Sequence, residues 1–266
     1  MIFEIKNRKH INNVSIDLSK TLIIFVGQNK TGKTDILSLI HHTTDGNSAY
    51  ITNELTTEQR AYYFSGKSVG LFCDLADELE QKTVGEEIST GVDGEIYVGN
   101  VHRKGYRWTE TSSIISLSRL VFYLRFHAKE NTRLIYEEPE ANLHPDNQIV
   151  VARILAKIVN RGIKVIISTH SDYIIRELDN LMLMATHKDS EDTKELMERY
   201  GYDENELLNP NEVGAYVFSR NNDSKIDITE LVIDKIDGIQ VSTINDVINA
   251  QNRVSEALYS RLVSKY

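Results

Sequence analysis

The sequence contains Leu22-Ile23-Ile24-Phe25-Val26-Gly27-Gln28-Asn29-Lys30-Thr31-Gly32-Lys33-Thr34, in which a short apolar run leads into a loop of the form G-x-x-x-x-G-K-[ST]. A continuous apolar run of this length is typical of a strand that is buried on both faces. Apolar residues then recur at helical spacing, at Ile36, Leu37, Leu39 and Ile40. The order of strand, loop and helix therefore predicts an α/β fold with a mainly parallel sheet flanked by helices.

The loop has the residue types that hold phosphate groups. Gly27 and Gly32 allow the backbone to turn so that its N–H groups point inward, and the helix that follows adds partial positive charge. In such loops the lysine, here Lys33, bridges the β- and γ-phosphates, and the hydroxyl of Thr34 is a ligand of Mg²⁺. We therefore predict ATP and Mg²⁺ as cofactors, held by Gly27, Gln28, Asn29, Lys30, Thr31, Gly32, Lys33 and Thr34.

Strands and helices alternate through the second half of the sequence, which favours parallel pairing of the strands. The N-terminal part reads instead as an antiparallel β portion, with strands at Ile2–Lys6 and Val14–Leu18. The elements predicted after residue 110 are a helix over Ser112–His127, a strand at Leu134–Tyr136, a helix from Pro145 to Gly162, a strand at Val165–Ser168 and a helix from Asp172.

Two regions interrupt this alternation within what we predict to be a single domain over residues 1–266. Residues from about 43 to 110 read as an insertion, in which the polar segments Glu95–Val98 and His102–Trp108 predict a hairpin. Residues from about 187 to 266 read as a C-terminal helical portion. It contains the charged stretch Lys188–Glu206, which we expect to be a solvated helix and turn, and it closes with an amphipathic helix.

Two adjacent carboxylates, Glu137 and Glu138, follow the predicted strand Leu134–Tyr136. The carboxyl ends of parallel strands form the edge at which open α/β sheets bind ligands. We expect Glu137 to hold the metal, directly or through water. We expect Glu138, pointing the other way along the pleat, to orient and polarise the attacking water. The alternative is that the two acids merely begin a surface turn.

A histidine follows the next predicted strand, in the segment Ser168-Thr169-His170-Ser171. His170 therefore falls on the same edge of the sheet, where we expect it to contact the γ-phosphate and the water. Glu138, His170 and Lys33 are the predicted catalytic residues. His144 precedes Pro145 in a turn, and both a packing or dimer-contact role and a chemical role are open for it.

These segments, in this order, resemble the ATP-binding-cassette (ABC) class of ATPases, and within it the SMC/RecF/OLD-like "AAA family" ATPases common in bacterial phage-defence operons. The resemblance covers most of the chain and implies a P-loop NTPase fold of ABC-ATPase type that binds and hydrolyses ATP with Mg²⁺. The residues that carry it are Gly27, Asn29, Gly32, Lys33 and Thr34, then Glu137-Glu138-Pro139-Glu140 with Asn142-Leu143-His144-Pro145, then Ser168-Thr169-His170-Ser171.

The class also has a signature segment that contacts the γ-phosphate bound to a second subunit. The best candidate for it is Thr111-Ser112-Ser113-Ile114-Ile115, in which Ser112 and Ser113 open a predicted helix and would bind that phosphate through hydroxyl and N–H groups. The sequence departs from the pattern at Ile114, where the family usually has glycine, and a simple serine N-cap is the alternative. A functional signature implies a homodimer that sandwiches two ATP molecules and opens on hydrolysis.

Composition limits the partners of the protein. Lysine and arginine total 30 against 39 acids, so the net charge of −9 argues against coating DNA by charge alone. The basic-aromatic cluster His102–Trp108 fits either a nucleic-acid contact or a charged hairpin edge. Cys73 is the only cysteine, which excludes an intrachain disulfide and a thiolate zinc cluster. The longest obvious apolar run, Leu22–Val26, is too short to cross a bilayer, and we expect a cytoplasmic protein without a membrane partner.

Three functions remain open from the sequence. The first is an ATP-driven dimeric switch, the ATPase component of a DNA-related or anti-phage defence complex with a separate effector or nuclease subunit. The second is the nucleotide-binding subunit of an ABC transporter, and the third is an ATP sensor or scaffold with negligible turnover. We expect no long coiled coil, because heptads are absent between Thr34 and Ser112, and no Toprim nuclease after His170.

Overall fold

A computed structural model describes residues 1–6, 11, 14–43, 47–52, 72–84, 88–90, 96–98, 112–221, 225–234, 238–239 and 242–260. The strands are β1 (Ile2–Ile5), β2 (Val14–Asp17), β3 (Leu22–Gly27), β4 (Ser48–Ile51), β5 (Ile88–Thr90), β6 (Ile96–Val98), β7 (Arg133–Glu137), β8 (Lys164–Thr169), β9 (Val213–Arg220), β10 (Ile226–Leu231), β11 (Ile233–Asp234) and β12 (Gly238–Ile239). The α-helices are α1 (Lys33–Thr43), α2 (Cys73–Thr83), α3 (Ser112–Phe122), α4 (Pro145–Asn160), α5 (Asp172–Thr186), α6 (Glu191–Tyr200) and α7 (Ser242–Leu258). A π-helical turn at Tyr123–His127 extends α3, and 3₁₀ turns lie at Glu204–Glu206 and Pro210–Glu212.

The central sheet has six strands in the order β10-β9-β3-β8-β7-β4. Five of them, from β9 to β4, run parallel, and β10 pairs with β9 in the antiparallel sense at one edge. The mainly parallel sheet predicted from the sequence is therefore confirmed. Because β3, β8 and β7 are neighbours and parallel, their carboxyl ends at Gly27, Thr169 and Glu137 meet at one edge of the sheet.

The sheet separates two hydrophobic cores, and β3 contributes to both because its side chains alternate between the faces. Leu22, Ile24 and Val26 pack into the core beneath α2 to α5, whereas Ile23 and Phe25 pack into the second core. The second core also contains Ile36, Leu37 and Ile40 of α1 together with Ile5 and Ile16 of the N-terminal hairpin β1–β2. All six residues of β3 are buried, as the apolar run predicts.

The sequence predicts a helical C-terminal portion, but the structure shows that this part of the chain also contains strands of the central sheet. It supplies β9 and β10, and β9 lies directly against the phosphate-loop strand β3. Tyr216 and Phe218 of β9 pack around Phe25 with ring centroids 6.0 Å and 4.9 Å away, so this strand completes the second core. None of the helices in the described ranges is long and apolar enough to cross a membrane.

Residues 96–98 of the predicted strand Glu95–Val98 form β6, which pairs with the preceding strand β5. The other strand of the predicted hairpin, at 102–108, lies outside the described residues.

The stretch Lys188–Glu206 forms α6 and a 3₁₀ turn and is mostly exposed, as predicted, but Met197 and Glu206 are only 8% and 1% exposed. Lys157 of α4 lies 3.3 Å from the Glu206 carboxylate, and this buried ion pair fixes the stretch to the domain.

The short strands β11 and β12 are attached to α5 through Asp179. Its Oδ1 accepts a hydrogen bond of 2.9 Å from the backbone N–H of Ile239. Burial raises the pKa of Asp179 from 3.8 to about 6. The folded protein therefore binds a proton between pH 4 and 6 that the unfolded chain releases, and stability must fall as the pH rises through this window.

We expect the substitution Asp179→Asn to remove this pH dependence, because asparagine keeps an acceptor oxygen and carries no charge. The variant should match the wild type near pH 4 and exceed it at pH 7.5 by at most about 3 kcal/mol in the free energy of unfolding. Urea unfolding of both proteins at these two pH values measures the difference. The same difference in the free energy of unfolding at both pH values would show that Asp179 does not cause the pH dependence.

Candidate nucleotide-binding site

The phosphate loop is closed around the ammonium group of Lys33. The Nζ atom donates hydrogen bonds to the carbonyl oxygens of Gly27 at 2.8 Å and Gln28 at 2.9 Å. The Thr31 hydroxyl donates to the same Gln28 carbonyl at 2.7 Å. Burial lowers the pKa of Lys33, and the neighbouring carboxylates of Glu138, Glu140 and Glu137 oppose that shift. The loop therefore holds a buried ammonium group at the N-terminus of α1.

Positive φ angles explain why glycine suits both motif positions, and close packing against the backbone adds to this at Gly27. Gly27 has φ +143°, and a Cβ there would lie 2.3 Å from the carbonyl oxygen of Phe218. Gly32 has φ +85°, and a Cβ there would lie 2.4 Å from Cδ1 of Ile226. Strands β9 and β10 thus press against the loop from the side opposite β8.

Lys30 occupies a left-handed backbone conformation, with φ +64°. A residue other than glycine is uncommon in this conformation. The carbonyl of Lys30 accepts a hydrogen bond of 2.8 Å from Nε of Arg220, at the end of β9. The arginine therefore supports the turn from outside the loop.

The acidic residue Glu137 joins the loop to the next part of the site. Its Oε1 accepts a hydrogen bond from the hydroxyl of Thr34, and its Oε2 lies 3.3 Å from the hydroxyl of Tyr50 in β4. Burial and the charge of Glu137 raise the pKa of Tyr50, so its hydroxyl stays protonated and serves as a donor. Hydroxyl and carboxylate oxygens are ligands that Mg²⁺ prefers, and Thr34 with Glu137 therefore fits this ion.

The sequence predicts that Glu138 continues the pleat of β7, and the structure shows that it does not. Its φ of +46° turns the chain directly after the strand, and its N–H donates to the carbonyl of Ser168 in β8 at 2.9 Å. As a result both Glu137 and Glu138 line the same cleft. Backbone strain of this kind at a non-glycine residue is typical of functional sites.

His170 follows β8 and lies beside Glu138, with Nε2 3.6 Å from the Oε1 of that carboxylate. Its backbone N–H donates to Oε1 of Glu140 at 2.6 Å. Burial lowers the pKa of His170, and the charge of Lys33 lowers it further while Glu138 opposes both. The imidazole is therefore neutral at pH 7 and can donate one hydrogen bond without adding charge. Burial raises the pKa of Glu140 itself.

The cleft at this edge has a volume of about 340 Å³, and its walls come from four parts of the chain. The lining residues are Asn29, Lys30, Thr31, Gly32, Lys33, Thr34 and Asp35 of the loop and α1, with Glu137, Glu138, Arg220 and Ile226. A larger cleft, of about 740 Å³, lies around Asn160 and Met197, and none of the predicted site residues lines it. The residues predicted to bind the nucleotide therefore gather at the smaller cleft.

The predicted site residues divide into three groups. Residues 29–34, Glu137 and Glu138 line the cleft, and Gly27 and Gln28 support it through their carbonyls. His170 lies beside Glu138 and is not among the residues that line the cleft. Ser112 and Ser113 do not line this cleft; they begin α3, where Ser112 is exposed.

Sequence reasoning missed Arg220, Ile226 and Tyr50. Arg220 and Ile226 come from β9 and β10, which lie far along the chain from the loop, and no motif marks them. Tyr50 falls within the region read as an insertion, although β4 belongs to the central sheet. His144, for which two roles were open, caps α4 by accepting the Asp146 N–H at 3.4 Å.

The sheet, the phosphate loop and the acidic pair together define an α/β fold with a mainly parallel sheet, and solved structures share it. The profile of the AAA ATPase domain matches residues 105–175, which include the acidic pair and His170. The SMC head domain from Thermotoga maritima shares the fold, with a TM-score of 0.51 and 11% identity, over 86% of this chain and 98% of that chain. The SMC head bound to the C-winged-helix domain of ScpA gives a TM-score of 0.55 and 11% identity, over 88% of this chain and 98% of that chain. Comparison with curated proteins returns no match.

Proposed function

We propose that the protein binds and hydrolyses ATP with Mg²⁺ at the cleft formed by the phosphate loop and Glu137. The observation that carries this proposal is the contact between Thr34 and Glu137, 103 positions apart in sequence, which joins two oxygen ligands for one cation beside the buried ammonium of Lys33. The contact places a carboxylate beside the loop and the helix N-terminus, where it can hold the Mg²⁺ that accompanies a bound phosphate.

Each residue has a distinct part in the proposed reaction. Lys33 exchanges its two carbonyl partners for the β- and γ-phosphate oxygens and neutralises the charge that develops there. Glu138 orients a water molecule and accepts its proton, and neutral His170 donates a hydrogen bond toward the transferred phosphoryl group. Bound Mg²⁺, held by Thr34 and Glu137, supplies charge stabilisation to the phosphate oxygens.

We also propose that two copies of the chain close around ATP. Ser112 opens α3, is exposed and lies outside the cleft of its own chain, which suits a phosphate contact made to a second subunit. The first turns of α3 are linked to the segment after Glu138, since Asn142 Nδ2 lies 3.5 Å from the hydroxyl of Ser116. Closure of a dimer at α3 would therefore reach the catalytic carboxylate through this contact.

For the cellular role, we propose the ATPase component of a DNA-related or anti-phage defence complex that acts through a separate effector. The support is the resemblance of the three motif segments to the ATPases of such systems, together with the SMC-head fold. Purification of the tagged full chain from its host, with and without Glu138→Gln, tests this role. An ATP-dependent partner that is neither an effector nor a nucleic-acid protein would contradict it.

Dimer-dependent hydrolysis predicts that ATPase activity per molecule rises with protein concentration. We expect a double variant, Ser112→Ala with Ser113→Ala, to lose this rise, because the second subunit no longer contacts the γ-phosphate. Its affinity for ATP in dilute solution should be unchanged, since neither serine lines the cleft. Steady-state rates over a wide concentration range, paired with light scattering, make the measurement. A constant specific activity in the wild type would contradict the sandwich.

A second candidate function is an ATP sensor with negligible turnover. The observation that favours it is Ile114, whose side chain is partly buried against the core beneath α3, where the family has glycine. Isoleucine allows the backbone fewer conformations than glycine does, which limits how the backbone can approach a phosphate. Tight ATP binding with no concentration-dependent hydrolysis would support this second function over the first.

A further inference from the structure

Tyr50 lies next to Glu137 because of the register of β4 against β7. Tyr50 is paired with Ile135, and in a parallel pair the residue two positions further along, Glu137, is on the same face of the sheet. A tyrosine is long enough to reach such a diagonal neighbour. Its hydroxyl accordingly lies 3.3 Å from Oε2 of Glu137.

Two hydroxyl groups thus bracket one carboxylate. Thr34 donates to Oε1 of Glu137, and Tyr50 donates to Oε2. The threonine comes from α1 and the tyrosine from β4, so two different elements hold the carboxylate. Each oxygen has two lone pairs, and one hydrogen bond leaves the other lone pair open to a cation.

The tyrosine ring is itself held in place. The ring of His41, in the last turn of α1, lies 5.4 Å from it with an interplanar angle of 37°. His41 is fixed in turn by a contact of 2.7 Å between its Nδ1 and the hydroxyl of Ser48. Tyr50 also packs against the second core. Its hydroxyl therefore has little freedom to move away from Glu137.

We propose that Tyr50 is a positioning residue for the magnesium carboxylate Glu137. It holds the carboxylate in the orientation that faces the cleft, so the carboxylate does not have to reorient when the metal binds. This role rests on the proposed function of the cleft as a Mg²⁺–ATP site. Partners that orient metal ligands typically contribute about 10–100-fold to metal affinity.

The substitution Tyr50→Phe tests the proposal because it removes the hydroxyl and keeps the ring against His41. We expect the Mg²⁺ concentration at half-saturation of ATP binding to rise about tenfold or more. The affinity for ATP in EDTA should be unchanged, and so should the thermal unfolding temperature in EDTA. Binding of a fluorescent ATP analogue, titrated with Mg²⁺, gives this readout without turnover.

The chain offers a matched control in Tyr202→Phe. The Tyr202 hydroxyl donates to the Glu177 carboxylate at 3.2 Å and lies outside the nucleotide cleft, so its removal should leave the Mg²⁺ response unaltered. A wild-type Mg²⁺ response in Tyr50→Phe, with that response lost in Glu137→Gln, would overturn the role of Tyr50 alone. A wild-type protein whose ATP binding ignores Mg²⁺ would overturn the proposed function together with it.

Discussion

Replacing Lys33 by methionine should lower ATP turnover by about 10²–10³-fold or more and weaken Mg²⁺–ATP binding. The side chain is 6% exposed, and its ammonium is the cation at the centre of the phosphate loop. Methionine retains the length of the side chain and removes the charge, so the loss reports on the phosphate contact more than on packing. Isothermal titration with a non-hydrolysable ATP analogue and a phosphate-release assay measure the two effects.

The control for this experiment is Lys194→Met, which removes a lysine of α6 that is 57% exposed and paired with Glu191. That variant should bind and hydrolyse ATP as the wild type does. Thermal unfolding without nucleotide checks that Lys33→Met is folded. Wild-type affinity for Mg²⁺–ATP in folded Lys33→Met would exclude the loop as the phosphate site.

Replacing Glu138 by glutamine should reduce turnover by about 10²–10⁴-fold while ATP binding is retained. The reason is that glutamine keeps the shape of the side chain beside His170 but cannot accept a proton from water. Because ATP then persists in the site, we expect the variant to accumulate as an ATP-bound dimer. Size-exclusion chromatography with light scattering, run with and without Mg²⁺–ATP, shows the change in mass.

Glu137→Gln provides the contrast, since Glu137 contacts Thr34 and lies in the proposed metal site. That variant should lose the Mg²⁺ dependence of binding and should not accumulate as a dimer. A folded Glu138→Gln protein that turns over ATP at the wild-type rate would remove Glu138 from the mechanism. A monomeric state at saturating ATP would leave the cleft intact and exclude the sandwich.

Local sequence patterns predict which side chains lie at the edge of the sheet where the candidate site is. The apolar run before Gly27 predicts a buried strand, and Lys33 and Thr34 end the loop that follows it. The two glutamates follow another short apolar strand. Both patterns predict polar side chains at the edge of a sheet. Those predictions hold because parallel strands place their carboxyl ends together, whatever the details of packing. The pattern could not give the direction of Glu138, because strand alternation fails where the backbone adopts a φ of +46°.

The sequence by itself therefore determined the phosphate loop, the parallel sheet and the positions of Glu137, Glu138 and His170 along the chain, since each depends on neighbouring residues. Only the tertiary structure decided that Tyr50 and Arg220 join the site, that Thr34 meets Glu137, and that Ser112 is absent from the cleft of its own chain. The physical reason is that these contacts depend on strand order and register, which bring together residues far apart in sequence. The apolar run beginning at Leu22 predicts a strand. The order of the sheet, which places β8 and β9 beside that strand, decides which residues lie next to the phosphate loop.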